Sequence, residues 1–144
     1  MADISQAVDE LLPLARSASE SAYSPYSHIK VGAVVVGSDG NVFSGCNVEN
    51  ASYGLTQCAE RNALVAAIVA GEQAGTIKTL LVYASGFKSL SPCGACRQVM
   101  SELLADDALI ISCSGNEEVR SWTMRQLFPD PFTLKLGFKE TRSE

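Results

Sequence analysis

The chain contains a single histidine, His28, in 144 residues. One histidine cannot build a histidine ligand cluster, and no other metal-binding residue type surrounds it. A surface or loop role is expected for it. Basic residues are also scarce: 11 Lys and Arg stand against 16 Asp and Glu, a net charge of −5. Nucleic-acid binders concentrate Lys and Arg to displace counterions, so no nucleic-acid partner is expected. Long apolar runs are missing. None reaches the roughly 18–20 residues of a membrane span, and no membrane partner is expected. The opening stretch MADISQAVDE lacks the basic and apolar regions of a secretory signal, so a cytoplasmic location is expected. Repeats, linkers and low-complexity segments are absent as well.

What is present reads as one globular domain over residues 1–144. Apolar residues make up 47% and charged residues 19%, a balance that opposes disorder. The five cysteines are more informative. An odd number cannot pair completely within one chain, and a cytoplasmic chain keeps its thiols reduced. Metal ligation, a reactive thiol and apolar filler remain open.

Apolar spacing predicts an amphipathic helix over 3–22. Pro13 inside it removes one backbone donor, so a kink or break is expected there. Strands are predicted at 29–36 and 42–46, joined by Ser38-Asp39-Gly40-Asn41, because Asp-Gly between apolar runs marks a hairpin. A helix at 57–70 would stop at Gly71. A strand at 77–84, a helix at 94–105, strands at 108–113 and 119–122, and a short helix at 123–128 follow. This order gives an α/β layered domain with a mixed sheet.

The helix segment 62–70, NALVAAIVA, carries no charge. A helix apolar on every side is buried on every side. It is expected both at the centre of the fold and against another subunit.

Three cysteines form a pattern: Cys58-Ala59-Glu60, then Pro92-Cys93-Gly94-Ala95-Cys96. Two thiols two residues apart at a helix start can hold one soft ion, and Cys58 would add a third. Catalytic zinc takes three protein ligands and keeps a fourth position for water. A carboxylate two residues from one ligand points to a hydrolytic site. Cys93-x-x-Cys96 alone could be a redox motif, but that leaves Cys58 and Glu60 unexplained.

Zinc deaminases carry H-x-E followed by P-C-x-x-C, with the glutamate as general acid/base. Here the motifs are C-A-E and P-C-G-A-C. With AYSPYS at 22–27, VGA at 31–33, GCNVENASYG at 45–54, CAER at 58–61, SPCGACRQVMSE at 91–102 and LFPDPF at 127–132, the sequence resembles the small, homotetrameric, all-cysteine cytidine deaminases. The resemblance implies a three-layer α/β/α fold with a mixed five-stranded sheet. It implies one zinc per chain on Cys58, Cys93 and Cys96, and Glu60 as the catalytic proton carrier. It further implies hydrolytic deamination of free cytidine and 2′-deoxycytidine in pyrimidine salvage, with active sites shared between subunits. Asn47 and Glu49 would hold the ribose 3′-hydroxyl. The backbone at Ala59 and Cys93 would read the base edge. Tyr53 and Phe132 match positions that neighbouring subunits insert into the pocket. Ile29 stands where many relatives have an aromatic residue that packs on the base. An aliphatic side chain makes a weaker contact with the ring face, so modified cytidines or another cytosine compound are an alternative substrate class.

Three thiolates and Zn²⁺ sum to −1, a charge that opposes activation of water. Two helix N-termini, each worth roughly +0.5 charge, would offset it, and the resemblance places Arg61 beside a cysteine sulfur. Cys46 and Cys113 read as buried filler. Asp106-Asp107 reads as a solvated helix end, Glu117-Glu118 as a loop, and Arg97 and Glu102 as solvent-facing or paired along their helix.

Overall fold

In the computed structural model, which describes residues 3–134, the first helix, α1, runs Ile4–Glu20 as one element. Asp3 caps it by accepting from the Ser5 amide at 3.0 Å. The break expected at Pro13 does not occur. Pro13 and Asp9, whose carbonyl loses its helical donor, both lie on the exposed face, so water can replace the lost bond. Leu11, Ala15 and Ser19 form the buried stripe.

Five strands follow among the described residues: β1 (Val31–Val36), β2 (Val42–Cys46), β3 (Ile77–Ala84), β4 (Leu104–Ser114) and β5 (Val119–Thr123). They form one sheet in the order β2-β1-β3-β4-β5. Only β3 and β4 run parallel, so the sheet is mixed as expected. The β1–β2 turn closes with the Gly37 amide donating to the Asn41 carbonyl at 2.8 Å. Gly40 there has φ 88°, a conformation that glycine adopts without strain. β1 begins two residues later than predicted. His28 takes φ 61°, and the Asn47 side chain, not a strand, holds the backbone on both sides of Lys30.

The central strands are buried on both faces. On one face α1 packs Leu11 and Ala15 against Val34, Leu81, Ile111 and Cys113. On the other lie α2 (Ala59–Val69), α3 (Gly94–Leu103) and α4 (Met124–Leu127), with Ala63, Leu64 and Met100 against Val35, Leu80 and Ile110. This is the three-layer α/β/α arrangement.

Two further expectations need correction. α3 ends at Leu103, and Asp106-Asp107 belong to β4, not to a helix end. Leu104 pairs with Ile77 and Leu109 with Thr79, so the ladder bulges and puts both aspartates in solvent between buried Leu104 and Ala108. Cys46 is half-buried, while Cys113 is buried as foreseen. The α2 expectation is not among them: the helix lies within the fold and buries Ala59, Glu60, Ala63, Leu64 and Ala67. Val65 and Val69 remain 54% and 81% exposed, so one chain does not cover the apolar helix.

Candidate active site

The site is built where two helices begin. Cys58 is the N-cap of α2 and Cys93 the N-cap of α3. N-caps are usually Ser, Thr, Asp or Asn, whose side chains bond the first helical amides. Neither cysteine makes such a bond, which leaves both sulfurs free to face each other. Cys96 follows in the first turn of α3 and is fully buried.

The three sulfurs lie within 4.8 Å of one another, and Cys58 Sγ and Cys93 Sγ are 4.0 Å apart. A tetrahedral ion with Zn–S of about 2.3 Å would need sulfurs about 3.8 Å apart. The soft donor set and its spacing therefore fit zinc. Both N-termini point positive ends at this cluster. Arg61, three residues along α2, donates from Nη2 to Cys58 Sγ at 3.3 Å and to the Thr56 carbonyl at 3.4 Å. The Cys58 thiol is held down to about 5 by its hydrogen bond with Cys96 and then by Arg61, against the opposing effect of burial. Cys96 is pushed up, first by donating to Cys58 and then by burial.

Glu60 sits in the first turn of α2 and is only 5% exposed. Burial pushes its carboxyl up to about 7, and the nearby Cys58 adds to the rise. A carboxyl of that kind can both take and give a proton near neutral pH.

The remaining predicted residues lie on neighbouring segments. Val48 exchanges backbone bonds with Gln57, each at 2.9 Å, so residues 47–49 run beside the approach to Cys58. Asn62 of α2 ties in the Cys46 carbonyl at 2.7 Å. Asn47 and Glu49 do reach the same way, but their partners are the chain's own loop. The Asn47 amide accepts from Val31 N and donates to the Ile29 carbonyl, both at 2.8 Å. Glu49 accepts from the amides of Tyr26 and Ser27 and from the Ser27 hydroxyl. These bonds lower its carboxyl, the Ser27 hydroxyl most. A cleft of about 250 Å³ is lined by Tyr26, Ser27, Glu49, Tyr53 and Thr56. Ile29 is half-buried on the loop beside it. Tyr53 and Phe132 are 75% and 70% exposed, so neither is held by its own chain's core. A larger polar groove at the β1–β2 turn is lined by Ser38, Asp39 and Glu72 among others, and holds none of the predicted site residues.

Comparison with known proteins settles the family. The model for the cytidine and deoxycytidylate deaminase zinc-binding region matches residues 5–112. The chain belongs to the cytidine and deoxycytidylate deaminase family. It is 42% identical over 125 residues to a cytidine deaminase of Halalkalibacterium halodurans, covering 87% of this chain and 93% of that one. It is 41% identical to a cytidine deaminase of Mycobacterium tuberculosis over 83% of this chain and 85% of that one. The crystal structure of a Burkholderia pseudomallei cytidine deaminase superposes with a TM-score of 0.82 at 46% identity, covering 86% of this chain and 98% of that one. As a deaminase of this family the chain is a zinc-binding hydrolase.

Two contributors to the site were missed by the sequence reading. Ser27 looked like part of a turn, yet its hydroxyl joins Glu49 to the amide of Ile29. Arg97 was expected to face solvent or pair along its helix, and it turns inward instead, onto carbonyls outside α3. One signal existed for it. A cation near a helix N-terminus is disfavoured by the helix dipole, which argues for a specific partner elsewhere.

Proposed function

We propose that this chain hydrolyses the exocyclic amine of free cytidine and 2′-deoxycytidine, giving uridine or 2′-deoxyuridine and ammonia. The observation that carries it is a buried carboxyl, Glu60, in the first turn of the helix that Cys58 caps, with Cys58 converging on Cys93 and Cys96. The metal would be held by Cys58, Cys93 and Cys96. Zinc held there would supply the polarisation that turns a water into a nucleophile. Glu60 takes a proton from the attacking water and delivers it to ring N3. The same carboxyl then takes the proton of the hydroxyl added at C4 and passes it to the amine, which leaves as ammonia while the C4 carbonyl forms. One carboxyl suffices because burial keeps it near the pH at which it must act both ways. Ala59 and Cys93 would read the base edge through their backbone, and Ile29 would pack on the ring. Asn47 and Glu49 would bind the ribose.

Residues 1–144 would act as one catalytic domain, assembled as a cytoplasmic homotetramer serving pyrimidine salvage. Two features support the oligomer. The apolar face of α2 at Val65, Ile68 and Val69 is exposed. The cleft beside Glu49, already lined by the chain's own Tyr53, is smaller than the roughly 300–1,000 Å³ usual for ligand sites, as expected if neighbours add their Tyr53 and Phe132 to it. Light scattering should return four chain masses for the native protein and a smaller species for Val65→Glu/Val69→Glu. A native single-chain particle at micromolar concentration would refute the tetramer.

The activity is tested by metal analysis together with an ultraviolet assay. Zinc near one per chain and loss of cytidine and deoxycytidine absorbance are expected. Cytidine 5′-monophosphate should be turned over far more slowly, because among the described residues the cleft is lined by a carboxylate and by no cation. A zinc-loaded protein that leaves every cytosine nucleoside intact would overturn the reading. Comparable rates on the monophosphate would overturn the substrate class.

A further inference from the structure

Cys93 is the exposed ligand of the three. Cys58 has Arg61 on its sulfur, and Cys96 is buried within α3. Cys93 has neither kind of hold, so its position depends on the backbone that leads into it.

That backbone is gripped by Arg97, one residue after Cys96. Its Nε donates to the Pro92 carbonyl at 2.8 Å, directly before Cys93. Nη2 donates to the Ser91 hydroxyl. Nη1 donates to the Leu127 carbonyl at 3.0 Å, at the start of the LFPDPF segment. All three acceptors are neutral, and among the described residues Arg97 forms no ion pair. Its planar fork therefore serves as a three-point brace, a geometry that a lysine cannot reproduce. The next residue, Gln98, holds the same segment further along, donating to the Phe132 carbonyl at 2.9 Å.

We propose that Arg97 is a positioning residue that braces the 91–93 loop against the 127–132 segment, so that Cys93 stays in place as a metal ligand. It touches neither metal nor substrate, and its contribution is to metal retention. The inference rests on the three-cysteine zinc site proposed above. Residues that orient metal ligands typically matter by 10–100-fold in metal affinity or activity.

The test follows zinc release from the holoenzyme to excess chromogenic chelator. Arg97→Gln should release zinc about 10–100-fold faster than wild type. Arg97→Lys keeps the charge but not the fork and should fall between the two. It also serves if Arg97→Gln does not fold. Leu11→Ala, which weakens the core on the opposite face of the sheet, controls for lost stability and should release zinc at the wild-type rate. Gln98→Ala, which frees only the Phe132 carbonyl, should do the same. Wild-type release rates from both Arg97 variants would overturn the proposal. So would equal acceleration by Leu11→Ala or by Gln98→Ala, since global stability or the distal segment would then be responsible. A wild-type protein that binds no zinc would instead refute the zinc site itself.

Discussion

Replacing Glu60 with Gln is expected to lower turnover by at least about 10⁴-fold, while zinc content stays near one per chain. General acid–base assistance contributes typically 10²–10⁴-fold, and the proposed reaction asks Glu60 for two proton transfers. The amide keeps the size of the carboxyl, so the buried site is not emptied. Glu60 also stands outside the set of sulfurs that would bind metal, so the ligands are untouched. Removing the charge relieves burial of an ionisable group at the start of α2, so a loss of folding is not expected to account for the result. Steady-state rates with metal analysis on the same sample decide the matter. Activity within ten-fold of wild type would sink the assignment of Glu60 as proton carrier.

The residues that carry this prediction were legible in the sequence because their spacing and their local structure coincide. Cys58 and Cys93 fall at helix N-caps, and helix starts can be read from pattern. Once both helices are placed, little freedom remains for the three thiols and Glu60. The succession of elements along the chain was legible for a similar reason: alternation, an Asp-Gly turn and apolar runs each mark local structure. Failures occurred where a distant contact overrides local preference. Pro13 is tolerated because its side of α1 faces water, a fact set by how α1 lies on the sheet. Asp106 and Asp107 join β4 because Leu104 and Ala108 on either side must be buried. Arg97 finds its acceptors 5, 6 and 30 residues away, beyond what a helical pattern can report. Asn47 and Glu49 are an intermediate case. Their shared direction follows from their spacing of two on an extended segment, but their grip on residues 26–31 depends on the loop folding back. That grip gives the pair a task within the chain beside the proposed one toward ribose: it presents Ile29.

Two glycines show how the fold holds the site, and their substitution should separate stability from catalysis. A Cβ at Gly32 of β1 would sit 1.9 Å from the Ala15 carbonyl oxygen of α1. A Cβ at Gly45 of β2 would sit 2.4 Å from the Ala63 amide nitrogen and 2.8 Å from the Ala59 carbonyl oxygen of α2. Backbone cannot swing aside as a flexible side chain can, so in each case a whole helix must withdraw. Overpacking of this kind costs typically about 1–3 kcal/mol, and occasionally more. Both Gly32→Ala and Gly45→Ala are expected at or above the upper end, measured by denaturant unfolding. Gly86→Ala, with open space around its Cβ, should be near neutral. The two costly variants should differ in activity. α1 covers the face of the sheet opposite the thiols, so Gly32→Ala should leave kcat per folded molecule within a few-fold of wild type. α2 carries Cys58 at its cap and Glu60 in its first turn, and Ala59, which Gly45 lets approach, lies between them. Gly45→Ala should therefore lose at least about ten-fold in kcat as well as stability, because misplacement by about 1 Å can cost 10²-fold. Equal kcat for the two variants under conditions where both are folded would mean that the seat of α2 on β2 does not set the position of Glu60.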